Sequence, residues 1–152
     1  MKIAIRRMDE EDLDRIMEIE VESFTTPWPK ESFLLEITKN QLARYIVAEV
    51  DGLVVGYGGI WLVLDEGHIT NIAVAKEYRG LGVGKKLIEG LISLCKDGGI
   101  TAMTLEVRKS NIIAQNLYKS YGFVEAGIRP NYYTDVNEDA IIMWKKIYNR
   151  GD

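Results

Sequence analysis

The 152-residue sequence has a single cysteine, Cys95, and a single histidine, His68. A lone cysteine cannot close an internal disulfide, and neither residue type is frequent enough for a zinc framework built on cysteines or several histidines. No metal is expected. Also missing is any apolar run near the roughly 20 residues that span a bilayer. The start, Met1-Lys2-Ile3-Ala4-Ile5-Arg6-Arg7, lacks the apolar centre of a secretion signal. The expectation is a cytoplasmic protein with no membrane partner. Basic charge is not in excess either: 19 Lys and Arg against 23 Asp and Glu leave a net charge of −4. That balance disfavours a generic nucleic-acid binder. What is present is 47% apolar and 28% charged residues, a globular composition rather than a disordered one. The length fits one domain over residues 1–152.

Patterning supplies the elements. Alternating Ile3 and Ile5 suggest a first strand. Asp9 and Asp12 resemble a capping pair, and Leu13, Ile16, Met17, Val21 and Phe24 follow a helical rhythm. Pro27-Trp28-Pro29 stops that helix and lets a second begin, with Phe33, Leu34 and Ile37 on its apolar side. Tyr45 to Val50, then Asp51-Gly52, then a second β-rich run predict a hairpin on a turn that needs positive φ. A strand over His68 to Val74 completes an antiparallel meander. Val83, Leu87, Ile88, Leu91, Ile92 and Cys95 define a long amphipathic helix ended by Gly98-Gly99. Thr101 to Val107 reads as a strand, with Met103, Leu105 and Val107 on one face and Glu106 on the other. Asn111 can cap a short helix carrying Ile113, Leu117 and Tyr121, with Gly122 at its end. Two last strands, Phe123–Tyr133 and Asp139–Tyr148, form a hairpin. The order predicts an α/β (α+β) fold, one mixed sheet with helices on its faces.

Arg79-Gly80-Leu81-Gly82-Val83-Gly84-Lys85-Lys86 joins a strand to the long helix. Amides at a helix start have no intrahelical partner and, with the positive helix end, make a phosphate site. The loop is not a Walker loop, because Lys86 follows Gly84-Lys85 where a magnesium-binding Ser or Thr is required. Nor is it a dinucleotide fingerprint, since no pair of its glycines is followed by a third at the required place. On composition alone, glycines that merely cap and pack remain an alternative.

Arg79-x-x-Gly82-x-Gly84 resembles the Q/R-x-x-G-x-G/A loop of the GNAT superfamily of N-acetyltransferases. Asn71-Ile72-Ala73-Val74 and Asn111…Leu117-Tyr118…Tyr121-Gly122-Phe123 fall at matching places. Pro27-Trp28, Leu105-Glu106-Val107-Arg108, Ser110-Asn111, Asn131-Tyr132-Tyr133 and Glu138-Asp139-Ala140-Ile141-Ile142-Met143 narrow the resemblance to ribosomal-protein alanine N-acetyltransferases. The resemblance covers essentially the whole chain. It implies a GNAT fold: a mostly antiparallel seven-stranded sheet, splayed in a V between the fourth and fifth strands, with about four helices on its faces. It also implies acetyl-CoA as co-substrate and the N-terminal alanine of a small-subunit ribosomal protein as acceptor. Other protein N-termini, lysine side chains and small amines are the alternative acceptors. A module that senses acetyl-CoA without turnover is the rival from another class.

The resemblance assigns roles residue by residue. Glu106 is the candidate general base, directly or through water; otherwise it is a surface carboxylate paired with Arg108. Tyr118 is the candidate general acid for the departing thiolate and a cofactor contact. Ile72, Ala73 and Val74 would bind the pantetheine arm through their backbone, and Arg79, Gly80, Leu81, Gly82, Val83, Gly84 and Lys85 the pyrophosphate. Asn111 caps its helix and is assigned a cofactor contact. Trp28, Asn71, Tyr132 and Tyr133 are placed in acceptor binding, with ordinary core and rim packing as the alternative for the aromatics. Cys95 lies on the buried stripe of the long helix and reads as a small apolar residue. His68 reads as structural, because nothing near it in the sequence completes a nucleophile–base pair. A monomer or weak dimer is the default assembly.

Overall fold

In the computed structural model, which describes residues 1–147, Asp9 and Asp12 close a reciprocal capping box. Arg6 grips the Asp12 carboxylate with two nitrogens, at 2.8 and 2.9 Å. This polar knot joins β1 (Ala4–Arg7) to a short 3-10 turn and to α1 (Leu13–Ser23). Leu13, Ile16 and Ile19 of α1 are buried, but its inward stripe then runs through Glu20, while Val21 is exposed. The apolar rhythm places Val21 inward, so this is a correction. Its cause is polar: the Glu20 carboxylate accepts from the Tyr57 hydroxyl and, at 2.8 Å, from the Trp28 amide. Burial is thus compensated by hydrogen bonds. Pro29 stands at the cap of α2 (Lys30–Thr38), whose Phe33 is fully buried.

β2 (Ala43–Val50) and β3 (Leu53–Val63) turn through Asp51 and Gly52, both at positive φ, as the Asp-Gly pair predicts. β4 (Glu66–Val74), α3 (Val83–Asp97), β5 (Ala102–Arg108), α4 (Ile112–Ser120), β6 (Val124–Tyr133) and β7 (Glu138–Lys146) follow. The expected end of the last strand, Tyr148, lies outside the described residues. The seven strands form one sheet in the order β1-β2-β3-β4-β5-β7-β6. Every pairing is antiparallel except β4 with β5. This is the sheet that the resemblance implies. Among the described residues, no helix is long and apolar enough to cross a membrane.

Two apolar layers hold the sheet. On one face Val83, Leu87, Ile88, Leu91 and Cys95 of α3 pack with Leu105, Val107 and Phe123. On the other, α1 and α2 pack on Tyr45, Tyr57 and Ala73. Each fully buried Val, Leu, Ile or Phe side chain among them contributes about 1.5–3 kcal/mol. On α4, Ile113 is exposed rather than buried. The inward residue is Gln115, whose Nε2 donates to the Arg108 and Lys109 carbonyls and ties α4 to the end of β5.

The seat of α3 is set by a glycine. A Cβ on Gly56 would lie 3.0 Å from both the Ala73 carbonyl oxygen and Val83 Cγ1, and 3.1 Å from Leu87 Cδ1. Gly56→Val should therefore push the start of α3 off the sheet and destabilise the fold by about 1–3 kcal/mol. Urea denaturation checks this, and unchanged stability would mean that α3 does not rest there.

Candidate active site

β4 and β5 pair only at Glu66–Ala102, Gly67–Met103 and His68–Thr104. Beyond His68 they part, leaving a V in the middle of the sheet. The Ala75 amide donates to the Val55 carbonyl, so by strand alternation Ala73 turns its backbone groups towards β3 while Ile72 and Val74 turn theirs into the V. Of the three residues expected to offer backbone groups there, Ile72 and Val74 do so. Ala73 does not, and its side chain is buried under α1 and α2.

A bulge in β4 sets the side chains. Gly59 pairs with Asn71 and Ile60 with Ile69, so Thr70 is the extra residue. The bulge shifts the alternation by one. Ile69 then faces the α3 core, and His68 faces the side of α1 and α2. There His68 Nε2 lies 2.6 Å from Glu106 Oε2, and Arg129 approaches Glu106 Oε1 at 3.5 Å. The Glu106 side chain is only 8% exposed. His68 is thus tied to the candidate base, a partner that the sequence reading of it as structural does not name. The pairing depends on the register of two distant strands and on the bulge, and neither has a local signature. Arg108 is not the partner of Glu106. It chelates Asp135 at 2.8 and 3.0 Å, reaches Glu138, and lies 4.2 Å over the Tyr133 ring.

Glu106 stands where two cavities meet. The larger, about 340 Å³, runs between the α1–α2 loop (Phe24, Thr26, Trp28) and Tyr132 and Tyr133, over His68 and Asn71. The smaller, about 190 Å³, enters the V past Ile72, Val107 and Asn111 to Tyr118. Glu106, Asn71 and Tyr133 line both. Trp28, Asn71, Glu106, Tyr132 and Tyr133, all named from the sequence, therefore share one cleft. Glu20 also lines it and anchors the Trp28 backbone. Thr25 donates to Asp135, joining the α1–α2 loop to the β6–β7 loop.

The far end of the V meets the glycine loop. Gly80 and Gly82 have φ of +79° and +90°, with open space where side chains would be. Gly82 starts α3 without a side-chain cap, and the first turn holds no acid. Its amides, with the exposed Lys85 and Lys86, suit an anion. Leu81 is exposed, whereas the Val83 side chain is buried, so any ligand contact from Val83 is by its amide. The Arg79 guanidinium is engaged with the Val74 carbonyl at 3.0 Å and the Ser23 hydroxyl at 3.3 Å. Asn111 accepts from the Ala114 amide at 3.1 Å and caps α4, as expected. Burial pushes the Tyr118 phenol up to about 12. Among the described residues, no group of three or more His, Cys, Asp or Glu could hold a metal.

Comparison with known proteins gives a consistent result. Residues 13–123 match the Acetyltransferase (GNAT) family. A Bacillus subtilis (strain 168) protein, provisionally named ribosomal protein bS18-alanine N-acetyltransferase, is 51% identical over 146 residues, 96% of this chain and 97% of its own. The Escherichia coli (strain K12) ribosomal protein bS18-alanine N-acetyltransferase is 39% identical, over 92% of this chain and 95% of its own. The crystal structure of the ribosomal-protein-S18-alanine N-acetyltransferase from Escherichia coli has a TM-score of 0.89 and 35% identity, covering 99% of this chain and 97% of that one.

The clasp between the groove's two walls has a pH signature. Arg108, with help from Thr25, holds the Asp135 carboxyl down to about 2, against about 3.9 in an unfolded chain. A depressed carboxyl stabilises the fold above its unfolded pKa and loses that contribution as pH falls through the folded one. The stability advantage of the wild type over Asp135→Asn should be constant above about pH 4–5 and shrink as pH falls towards 2. Denaturation curves of both proteins across this range test it; an advantage independent of pH would show the clasp is not made in solution.

Proposed function

The chain belongs to the acetyltransferase (GNAT) family, and on that premise we propose that it transfers acetyl from acetyl-CoA to the N-terminal alanine amine of ribosomal protein bS18. The observation that carries this reading is the position of Glu106, a nearly buried carboxylate at the junction of an acceptor-sized groove and the opening between β4 and β5. The acceptor follows from the names of the relatives that match over nearly the whole chain.

Acetyl-CoA supplies an electrophilic thioester when bound. The residues present fit it. Uncapped amides at the start of α3 and Lys85 and Lys86 would hold its phosphates. The backbone groups of Ile72 and the amide of Val74, whose carbonyl is taken by Arg79, would hold its arm as an added strand does. Asn111 lies beside that path. Glu106 takes the proton of the incoming amine, directly or through water, and His68 at 2.6 Å orients that carboxylate and shares its hydrogen bond. Tyr118 stays protonated at neutral pH because burial raises its pKa, so it can donate to the departing sulfur. Trp28, Tyr132 and Tyr133 wall the acceptor. An α-amine suits such a modest base: with a pKa near 7.7–8.0, roughly a tenth is neutral at pH 7, against under about 0.1% for a lysine.

Release of free thiol from acetyl-CoA with a short basic peptide beginning in alanine tests the reaction, with mass spectrometry locating the acetyl group. Acetyl on the α-amine is expected. A preference for internal lysine or a small polyamine would overturn the ribosomal acceptor, and tight binding without turnover would point to a sensor. Glu106→Gln and Tyr118→Phe should each lower kcat by about 10²–10⁴-fold with the Kd for acetyl-CoA unchanged. Equal loss of binding would mean that they build the pocket instead. Gly82→Val should raise that Kd, through its positive φ and the filled phosphate path; unchanged binding would refute the loop assignment.

A further inference from the structure

An N-terminal amine differs from a lysine amine in more than basicity. Two bonds beyond its nitrogen comes a peptide carbonyl, where lysine has only methylenes. A site that donates a hydrogen bond to that oxygen selects chain ends by structure. We propose that the side-chain amide of Asn71 donates to the carbonyl oxygen of the acceptor's first residue and so selects N-termini over lysines, an inference that rests on the acetyltransferase reading of the same groove.

Asn71 lines both cavities alongside Glu106. Its backbone pairs with Gly59, and a Cβ on Gly59 would fall 2.8 Å from Asn71 Oδ1 and 2.3 Å from the Tyr45 ring. Only glycine leaves room for both groups. Hydrogen-bond bookkeeping then orients the amide. The Tyr45 hydroxyl has one proton, and Glu36 Oε1, which can only accept, lies 2.9 Å away. Tyr45 is 3.3 Å from Thr70 Oγ1, beyond the ordinary O–H···O range. The Thr70 proton therefore goes to Asn71 Oδ1 at 2.9 Å. That bond turns the carbonyl of Asn71 into the sheet and its NH₂ towards the groove. Among the described residues the NH₂ has no hydrogen-bond partner.

A donor in this place is suited to one kind of atom. It cannot usefully bind the attacking nitrogen, whose lone pair must stay free for the thioester. The first carbonyl oxygen of the peptide is an acceptor held close to that nitrogen, and Asn71 lines the same two cavities as Glu106.

The test is a cycle between enzyme and substrate. Wild type, Asn71→Ala and Thr70→Val each acetylate two alanine-initiated peptides, one normal and one whose first carbonyl is a thioamide, a weaker acceptor. Wild type should prefer the normal peptide by about 5- to 30-fold in kcat/KM, the worth of one hydrogen bond to a buried group. In Asn71→Ala the preference should fall below about twofold, and in Thr70→Val it should fall part of the way, mostly through KM rather than kcat. A purely structural Asn71 would slow both peptides alike and keep the preference, which overturns the proposal. Loss of all activity in wild type would instead overturn the acetyltransferase reading itself.

Discussion

A sheet normally satisfies its backbone by pairing each strand along its length, and an unpaired amide or carbonyl inside a protein costs as much as a lost hydrogen bond. Here two central strands pair at three positions and then part. The parting puts polar backbone in the middle of the molecule, where no water-exposed edge would otherwise be. Everything assigned to chemistry is arranged along that gap. Glu106 and His68 face each other across its narrow end, and Tyr118 closes one flank. The uncapped start of α3 stands where it opens widest. One of the carbonyls there, that of Val74, is already occupied by Arg79, while the backbone groups of Ile72 turn into the gap away from β3. A ligand able to offer its own amides and carbonyls completes the sheet, so fold and recognition share the same hydrogen bonds.

The groove on the other face depends on polar groups that a purely apolar account of folding would omit. Glu20 is 2% exposed, yet it serves as an anchor that fixes Trp28 by its amide and Tyr57 by its hydroxyl. Arg108 gathers Asp135, Glu138 and the Tyr133 ring. These contacts hold two loops, far apart in the sequence, as facing walls. Removing the Tyr57 hydroxyl would leave the Glu20 carboxylate buried with one partner fewer, a larger loss than breaking the exposed Arg108–Asp135 pair.

Most elements were legible because local rules and tertiary packing agreed. The Asp9–Asp12 capping box, the Asp51-Gly52 turn, the stripe of α3 and the Asn111 cap each need only a few neighbouring residues. The roles proposed for Glu106 and Tyr118 come from family resemblance rather than from periodicity, and the glycine loop reads as a phosphate site from its place at a helix start. Failures came where a polar contact overrode the apolar rhythm. Val21 looks like the better inward residue until Tyr57 and Trp28, from elsewhere in the chain, compensate Glu20. Ile113 looks inward until Gln115 finds the carbonyls at the end of β5. The partner of His68 was missed for a different reason: it lies 38 residues away, across a strand pairing that no short window of sequence specifies.

The extra residue in β4 acts as a change of reading phase. Up to Asn71, counted back from Val74, odd positions face α1 and α2; past the bulge, that face belongs to even ones. The encounter of His68 with Glu106 is therefore encoded in the number of residues between two fixed points as much as in their identities. Within this short stretch the count of residues matters as well as their kind. A homologue that lost one residue here would keep the same histidine and carboxylate in its sequence while pointing them to opposite sides of the sheet.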